Sequence, residues 1–441
     1  MIDENLKDKR NDAKRGAEKV RSFQRKIYLK AKQEKEFCFY VLYDKIYLKH
    51  FLLKSWKQVK ANKGAPGYDN VTFSEIEEYG VDLYLDEIAK ELKEGIYKPQ
   101  PVLRVYVPKA NGKMRPLGIP TIKDRIVQMS CKLVVEPIFE ADFEDCSYGF
   151  RPKRSAKDAV SRIKSNLKSG KSMVYDADLS AFFDNIPHDK LMLLVSKRIS
   201  DKRVLTLLKM WLRNSVFEDN KLHKSKKGTP QGGVISPLLA NIYLNLIDKA
   251  VFRKDGHFKK FGITMVRYAD DFILMGNKLP ESSVNYLKRM LDRMELKVNI
   301  EKTKQLNARE RPFDFLGFTF RYDRGIYGNN SMYWNVIPSK KSEMKIRKNL
   351  RETFRYCRHF NSELIVKRLN PKIRGWLNYF TIKGVSYPYQ AKNRLEWFLD
   401  RSFYNFYKRK SQRRCKLYRR RAFGYLVRNY GLINPLKYKT L

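Results

Sequence analysis

The sequence predicts an α+β fold, because two pairs of short extended runs stand among segments with helical spacing. The first pair is Val105–Lys109 and Met114–Ile119, which flank an Asn-Gly turn signal. The second pair is Ile263–Val266 and Phe272–Met275, and the tetrapeptide Tyr-Ala-Asp-Asp at 268–271 lies between them. We therefore expect two β-hairpins set among helices.

Segments with helical spacing follow one another along the chain. A basic N-terminal arm has apolar positions from Phe23 to Tyr47, with a partly disordered tail as the alternative. Further helices are expected at 156–167, as a pair within 188–214, and at 339–357. Another is expected to begin at Ser236, a suitable N-cap, followed by Pro237 at the first helical position. Its apolar stripe comprises Leu238, Leu239, Ile242, Leu246 and Ala250.

The charge of the chain indicates a polyanionic partner. In 441 residues, enough for two or three domains, 92 Lys and Arg stand against 47 Asp and Glu, a net charge of +45. A basic ribosomal-type or purely structural binder is the alternative. The five cysteines and five histidines show no zinc-type spacing, which favours a reducing compartment. With no membrane-spanning run and no secretory signal, we expect a cytoplasmic protein without membrane contact.

Adjacent carboxylates at the tip of the second hairpin indicate a metal site. Asp270 and Asp271 repel one another unless a cation neutralises them, although a solvated acidic turn is the alternative. The extended run 173–179 adds Asp176 and Asp178, which share a strand face, so periodicity cannot choose between them. Three carboxylates at one point suit two Mg²⁺ ions in nucleotidyl transfer.

Two further segments favour binding of phosphate and nucleotide. We expect the first hairpin to hold Lys109 and Arg115 across from one another, where they grip a triphosphate or, alternatively, touch a nucleic-acid backbone. The glycine loop 227–233 lets backbone approach a base or sugar, with Gln231 as the polar reader, or simply makes a tight turn. The segment 408–421 holds nine Lys or Arg among aromatic residues, which is typical of RNA binding, with a solvated basic helix as the alternative.

These pieces occur in the order of reverse-transcriptase blocks, and over about residues 50–380 the chain resembles the bacterial group II intron reverse transcriptase/maturase family. The resemblance implies a right-hand polymerase, with fingers and palm, followed by an α-helical thumb/maturase X domain. It implies a basic extension at 1–48, fingers and palm at 49–330, and the helical domain at 331–441. The blocks are Lys109 with Arg115, 147–152, 178–184, 229–241, 268–271, 296–302 and 315–318.

The resemblance also assigns roles to residues. Asp178, Asp270 and Asp271 become the catalytic, metal-binding set, with the backbone carbonyl of Leu179 as a further ligand and Asp176 as a neighbour. Phe183 is implied to exclude a ribose 2′-hydroxyl. The implied nucleotide-binding residues are Lys109, Arg115, Phe183, Gln231 and Lys302, although Lys304 lies near the last of these. The implied RNA contacts are Arg151, Arg374, Trp376, Arg413, Arg414, Arg419 and Arg420.

The function implied is that of an RNA-directed DNA polymerase with two Mg²⁺ ions, which also binds intron RNA to promote splicing and mobility. Its expected partners are intron RNA, an RNA template, a DNA primer or target, and dNTPs. The alternatives are a non-enzymatic splicing maturase and a group II-like enzyme recruited to defence or DNA repair. No Cys-rich HNH endonuclease block is recognisable, so we do not expect second-strand cleavage. Oligomeric state stays open.

Overall fold

The computed structural model describes residues 2–108, 112, 114–224, 227–299, 301, 303–325, 331–408, 417 and 422–439, with side chains from residue 14 onwards. The chain forms two compact units. Unit 1 comprises Met1–Arg154, Asp176–Ile273 and Pro280–Thr303, and unit 2 comprises Ser155–Tyr175, Leu274–Leu279 and Lys304–Leu441. Two internal segments, Ser155–Tyr175 and Leu274–Leu279, thus cluster with the C-terminal part of the chain. The domain boundaries at 48 and 330 stay a prediction.

The described strands belong to three sheets and confirm the α+β class. Their orders are β2-β1-β4-β5, β6-β7-β3-β8 and β11-β10-β9. In the first sheet β1 pairs antiparallel with β2 and parallel with β4. The strands are β1 (Val102–Pro108), β2 (Met114–Ile119), β3 (Met173–Ala177), β4 (Ser215–Glu218), β5 (Lys221–Lys224), β6 (Thr264–Tyr268), β7 (Asp271–Gly276), β8 (Lys304–Asn307), β9 (Phe313–Phe315), β10 (Phe318–Arg324) and β11 (Met332–Pro338).

Helices account for most of the remaining described residues. In chain order they are α1 (Ile2–Gln33), α2 (Tyr43–Ile46), α3 (Lys49–Ala61), α4 (Phe73–Tyr79), α5 (Val81–Glu94), α6 (Ile122–Glu140), α7 (Ala156–Lys168), α8 (Phe182–Asn185), α9 (His188–Ser196), α10 (Lys202–Leu212), α11 (Ser236–Phe252), α12 (His257–Lys260), α13 (Glu281–Arg293), α14 (Lys340–Tyr356), α15 (Ser362–Phe380), α16 (Tyr389–Lys408) and α17 (Ala422–Tyr430). None of these described helices is long and apolar enough to cross a bilayer.

The helical interpretation of the N-terminal arm is confirmed as far as Gln33, whereas residues 34–42 are not helical and interrupt the helix expected to continue to Tyr47. Val20 and Ala31 of α1 are fully buried in unit 1. The Gln24 side-chain amide donates to the Leu133 carbonyl of α6 at 2.9 Å. Arg198 donates to the Ala31 carbonyl at 2.8 Å. Packing of an amphipathic face therefore stabilises a helix whose other faces are highly charged.

Local signals placed several helices correctly. A capping box formed by Ser155 and Asp158 starts α7, and Ser339 caps α14, as the predicted segments require. For α11 the prediction is wrong in two details. The N-cap is Ile235 rather than Ser236. Leu246 is exposed, and the buried residues of α11 occupy several faces rather than one stripe.

The carboxyl of Asp124 makes the free energy of unfolding depend on pH. It is buried at the start of α6, where it accepts hydrogen bonds from the Tyr97 hydroxyl at 2.6 Å and the Gln100 amide at 3.1 Å. Burial raises the pKa of Asp124 to about 6. Between pH 4 and 6 the folded protein therefore holds a proton that the unfolded chain releases, so the free energy of unfolding falls as pH rises through this window.

We expect the free energy of unfolding of Asp124→Asn to fall by about 3 kcal/mol less than that of wild type between pH 4 and 7, because the variant has no carboxyl to deprotonate. Denaturant titrations at unit pH intervals measure the difference in slope. Glu94→Gln, at an exposed position on α5, is the control and should keep the wild-type slope. Equal slopes for wild type and Asp124→Asn would contradict the assignment.

Candidate catalytic and nucleotide site

The second predicted hairpin is present and is formed by β6 and β7. Asp270 lies in the turn, and Asp271 is the first residue of β7. Ala269 adopts a left-handed conformation, with φ of 58°. A non-glycine residue in this region needs support from its surroundings. The segment that supplies it is 146–149.

Residues 146–149 run alongside β6 and fix the turn through backbone contacts. The Arg267 amide donates to the Cys146 carbonyl at 2.8 Å, and the Tyr148 amide donates to the Arg267 carbonyl at 2.9 Å. A Cβ atom at Gly149 would lie only 2.4 Å from the Ala269 nitrogen. Glycine is therefore required at 149 so that the two backbones can approach.

A buried guanidinium lies beneath the same turn. Arg267 is fully buried and forms an ion pair with Asp248 of α11, with Nε to Oδ1 at 2.8 Å. It also donates to the Asn241 side-chain oxygen at 2.8 Å and to the Ala269 carbonyl at 3.0 Å. Burial lowers the pKa of Arg267, but attraction to Asp248 outweighs it, so the net shift is upward.

Sequence analysis did not single out Arg267, Asp248 or Asn241. A usable signal was present: one arginine interrupts an apolar strand, and one aspartate interrupts a helix rich in apolar residues. Single charges in such runs are buried only when they are paired. Complementary lone charges of this kind predict a buried ion pair.

The first aspartate block lies at the end of β3, the neighbour of β7 in the sheet. Asp178 directly follows β3, and its carbonyl accepts from the Asn299 amide at 2.8 Å. The Asn299 side chain donates to the Asp178 carboxylate at 3.3 Å. Leu179 forms an antiparallel bridge with Val298. The segment around Asn299 thus fixes the backbone that carries Asp178.

The predicted metal ligands suit a metal ion by the chemistry of their donor atoms. Three carboxylates and a backbone carbonyl form an all-oxygen set, the kind that hard divalent cations prefer. Adjacent strands carry two of the aspartates, Asp178 after β3 and Asp271 at the start of β7. Within the described part of the chain, however, no group of three or more His, Cys, Asp or Glu side chains is placed to hold an ion. The side-chain geometry alone therefore does not define a metal centre.

The glycine loop packs against α8, which carries Phe183. The Thr229 amide donates to the Phe183 carbonyl at 2.7 Å, and the Gly228 amide donates to the Ile186 carbonyl at 2.8 Å. Phe182 is buried, and its ring meets that of Phe183 edge-on with centroids 5.3 Å apart. Phe183 itself is only half-buried, which leaves part of its ring available to a ligand.

The same loop is joined to β2. The Gly118 amide donates to the Gln231 carbonyl at 2.6 Å, and the Gln231 side chain donates to the Asp184 carboxylate at 3.3 Å. A Cβ at Gly232 would lie 2.3 Å from the Gly118 oxygen. Gln231 therefore lies between the strand that carries Arg115 and the helix that carries Phe183.

The first predicted hairpin is confirmed, but its register differs from the prediction. Arg115 is exposed and lies opposite Val107, so the expected pairing of Lys109 across from Arg115 is wrong. Lys109 and Lys302 lie outside the described residues.

Two predicted RNA contacts prove to be buried. Arg151 forms an ion pair with Glu140 at 2.8 Å and donates to the carbonyls of Glu144 and Ser147, so it stabilises the fold rather than touching RNA. Trp376 is 8% exposed and packs against Phe380, with ring centroids 5.0 Å apart. Arg374 is exposed. The other predicted contacts, Arg413, Arg414, Arg419 and Arg420, lie outside the described residues.

Two segments of the chain match models of known protein families. Residues 107–320 match the family model described as reverse transcriptase (RNA-dependent DNA polymerase). Residues 344–423 match the model described as the group II intron, maturase-specific domain. The first match contains the β6–β7 hairpin, Asp178, Phe183 and Gln231, and the second covers most of α14 to α16.

Curated relatives include Protein YkfC of Escherichia coli, 36% identical over 319 residues, which cover 64% of this chain and 83% of that protein. The group II intron-encoded protein LtrA of Lactococcus lactis is 44% identical over 170 residues, 38% of this chain and 28% of that protein. This chain therefore spans under a third of LtrA. A solved structure titled a partial Cas6-RT-Cas1–Cas2 complex is 22% identical, with a TM-score of 0.36, over 57% of this chain and 42% of that one.

We expect Arg267→Met to lower the free energy of unfolding by about 3–5 kcal/mol, because it leaves Asp248 charged and buried without a partner. The double variant Arg267→Met/Asp248→Leu should lose less than the sum of the two single changes. Denaturant unfolding of all three variants measures this coupling. Arg394→Met, at a more exposed ion pair with Glu343, is the control and should cost about 1 kcal/mol or less. A loss at Arg267 no larger than the control would refute the buried-pair role.

Proposed function

The chain belongs to the group II intron reverse transcriptase/maturase family of RNA-directed DNA polymerases, and we propose how its residues extend a DNA 3′ end on an RNA template. The observation that carries the proposal is the Tyr268–Asp271 hairpin. Its turn is held by Gly149 and Arg267, and it lies in the sheet beside the strand that leads to Asp178. A turn fixed from two sides keeps its carboxylates in place without reorganisation.

Divalent metal ions serve reverse transcriptases generally. Our proposal for this chain is two Mg²⁺ ions held by Asp178, Asp270 and Asp271, with the Leu179 carbonyl as a further ligand. When bound, such ions activate the attacking hydroxyl and stabilise the leaving oxygen. Asp270 lies in the turn and Asp271 is the first residue of β7, so the two carboxylates are not equivalent ligands, and Asp270 is assigned the larger role.

The nucleotide is proposed to lie between β2 and α8. Exposed Arg115 offers a guanidinium fork to the triphosphate, with Lys109 and Lys302 as further cations. The partly exposed ring of Phe183 fills the space that a ribose 2′-hydroxyl needs. Gln231 lines the base and sugar pocket, and the loop that carries it contacts both neighbouring elements.

Binding of intron RNA, and through it splicing and mobility, is assigned to unit 2. The maturase-domain match at 344–423 and the exposed side chain of Arg374 support this assignment. The basic segment 408–421 adds cations for phosphates. The proposed partners are intron RNA, an RNA template, a DNA primer or target, and dNTPs. A purely non-enzymatic maturase is the less favoured function, because the costly carboxylate set is intact.

Asp270→Asn tests the polymerase assignment. The substitution keeps the size of the side chain but removes its charge, so primer extension on RNA with Mg²⁺ should fall roughly a thousandfold, equivalent to about 4 kcal/mol. RNA binding, measured by filter retention, should change little. Asp189→Asn, at an exposed position on α9, is the matched control. Extension within tenfold of wild type would refute the metal role of Asp270.

Phe183→Ala tests sugar selection. Removal of the ring opens the space for a 2′-hydroxyl, so the ratio of kcat/KM for a dNTP to that for the matching rNTP should fall by about 10- to 200-fold. A ratio cancels any general loss of active enzyme. Phe182→Leu changes the buried neighbour and should leave the ratio near the wild-type value. If Phe183→Ala keeps the wild-type ratio, another group excludes ribonucleotides.

A further inference from the structure

A pocket of about 410 Å³ lies between α14 and α16 in unit 2. Its size falls within the range of pockets that hold small ligands. Four arginines line it together with the indole of Trp397, and none of the described residues that line it is acidic. The arginines are Arg351, Arg355, Arg358 and Arg401. A concave site with this lining combines one large flat ring with several positive charges.

Trp397 faces outward although the residues beside it form the core. Its side chain is 69% exposed, whereas Phe398 and Leu399 on the same helix are buried. A single exposed apolar residue is ordinary. Here, however, the exposed ring belongs to a pocket and is surrounded by guanidinium groups, so it offers a stacking surface bounded by cations.

The four arginines around Trp397 have no carboxylate partner among the described residues. None of the four forms an ion pair with another described residue, whereas Arg394 and Arg347 on the same two helices both pair with Glu343. Aromatic rings hold two of the four: the Arg351 guanidinium carbon lies 5.3 Å from the Phe398 centroid, and that of Arg401 lies 5.6 Å from the Tyr404 centroid. Ring contacts orient a guanidinium without neutralising it.

We propose that this pocket captures one unpaired nucleotide of the bound RNA, with its base stacked on Trp397 and its flanking phosphates held by the four arginines. The inference rests on the proposed RNA-binding function and names the form of RNA that unit 2 recognises. A paired base is closed in its helix and offers no free face, whereas a bulged or loop base can stack on an aromatic side chain. Because every base has a flat face, the pocket selects unpaired structure rather than sequence.

The arginines of the pocket favour a nucleotide over the other possible ligands, because a nucleotide carries phosphates as well as a ring. A site for phosphate alone gains nothing from an exposed indole, and an apolar peptide gains nothing from four unneutralised cations. A nucleotide supplies a ring for Trp397 and negative charges for the arginines. The net charge of +45 agrees with a polyanionic partner.

The test compares two RNA hairpins that differ only in one bulged 2-aminopurine, with the full-length protein and its Trp397→Ala variant. We expect Trp397→Ala to weaken binding of the bulged hairpin about tenfold and binding of the fully paired hairpin less than twofold. Quenching of the 2-aminopurine fluorescence on binding should disappear in the variant. Trp397→Phe, which keeps a ring, should restore most of both effects.

Tyr389→Ala is the matched control, because Tyr389 is 68% exposed on the same helix but does not line the pocket. It should bind both hairpins like wild type. Arg355→Gln should weaken binding and reduce the slope of log affinity against log salt by about 0.7, the value for one phosphate contact on a single strand. Trp397→Ala should leave that slope unchanged.

Equal weakening on both hairpins, or no weakening on either, would overturn the proposal, as would fluorescence quenching that persists in Trp397→Ala. Wild type that binds neither hairpin would overturn it together with the RNA-binding role of unit 2. Primer extension by wild type on an unstructured template separates these outcomes from the polymerase assignment, since it depends on unit 1 and should be retained in Trp397→Ala.

Discussion

The buried ion pair between Arg267 and Asp248 is the constraint on which the candidate catalytic site depends. Removal of a guanidinium and a carboxylate from water is costly, and the cost is offset only when nearly every donor has an acceptor. Arg267 meets that condition by bonding Asp248, Asn241 and the Ala269 carbonyl at once. Any displacement of the hairpin turn would break part of this set, so the turn has one favoured position.

Glycines impose a second constraint of a different kind. Gly149 fits against Ala269, Gly228 against Asp184, and Gly232 against the Gly118 carbonyl, each at a distance that a Cβ would prohibit. These contacts join backbones rather than side chains. The side chains proposed to bind the nucleotide are therefore positioned by close-packed main chain, which is stiffer than contacts made through long rotatable groups.

The features that could be predicted from the sequence are those determined by residues within a few positions of one another. Both hairpins and the starts of α7 and α14 follow from turn residues, alternation and capping within a few positions. The register of Arg115 and the burial of Arg151 and Trp376 depend on which partners each residue meets in the folded chain, and turn signals, alternation and capping do not specify those partners. Arg151 was misjudged because a motif marks a segment as functional without telling whether its arginine faces solvent or Glu140.

The arginines of this chain therefore fall into two groups, those that are buried and paired and those that are exposed. Arg151, Arg198 and Arg267 are buried. Their guanidinium groups donate to carboxylates and backbone carbonyls and so hold elements of the fold together. Such groups contribute to the net charge but not to the potential that RNA meets, since a paired buried charge is largely neutralised. The exposed arginines around the pocket of α14 and α16, which have no carboxylate partner in the described part of the chain, do contribute to it. In so basic a protein, exposure and pairing, not the count of positive residues, determine where a polyanion can bind.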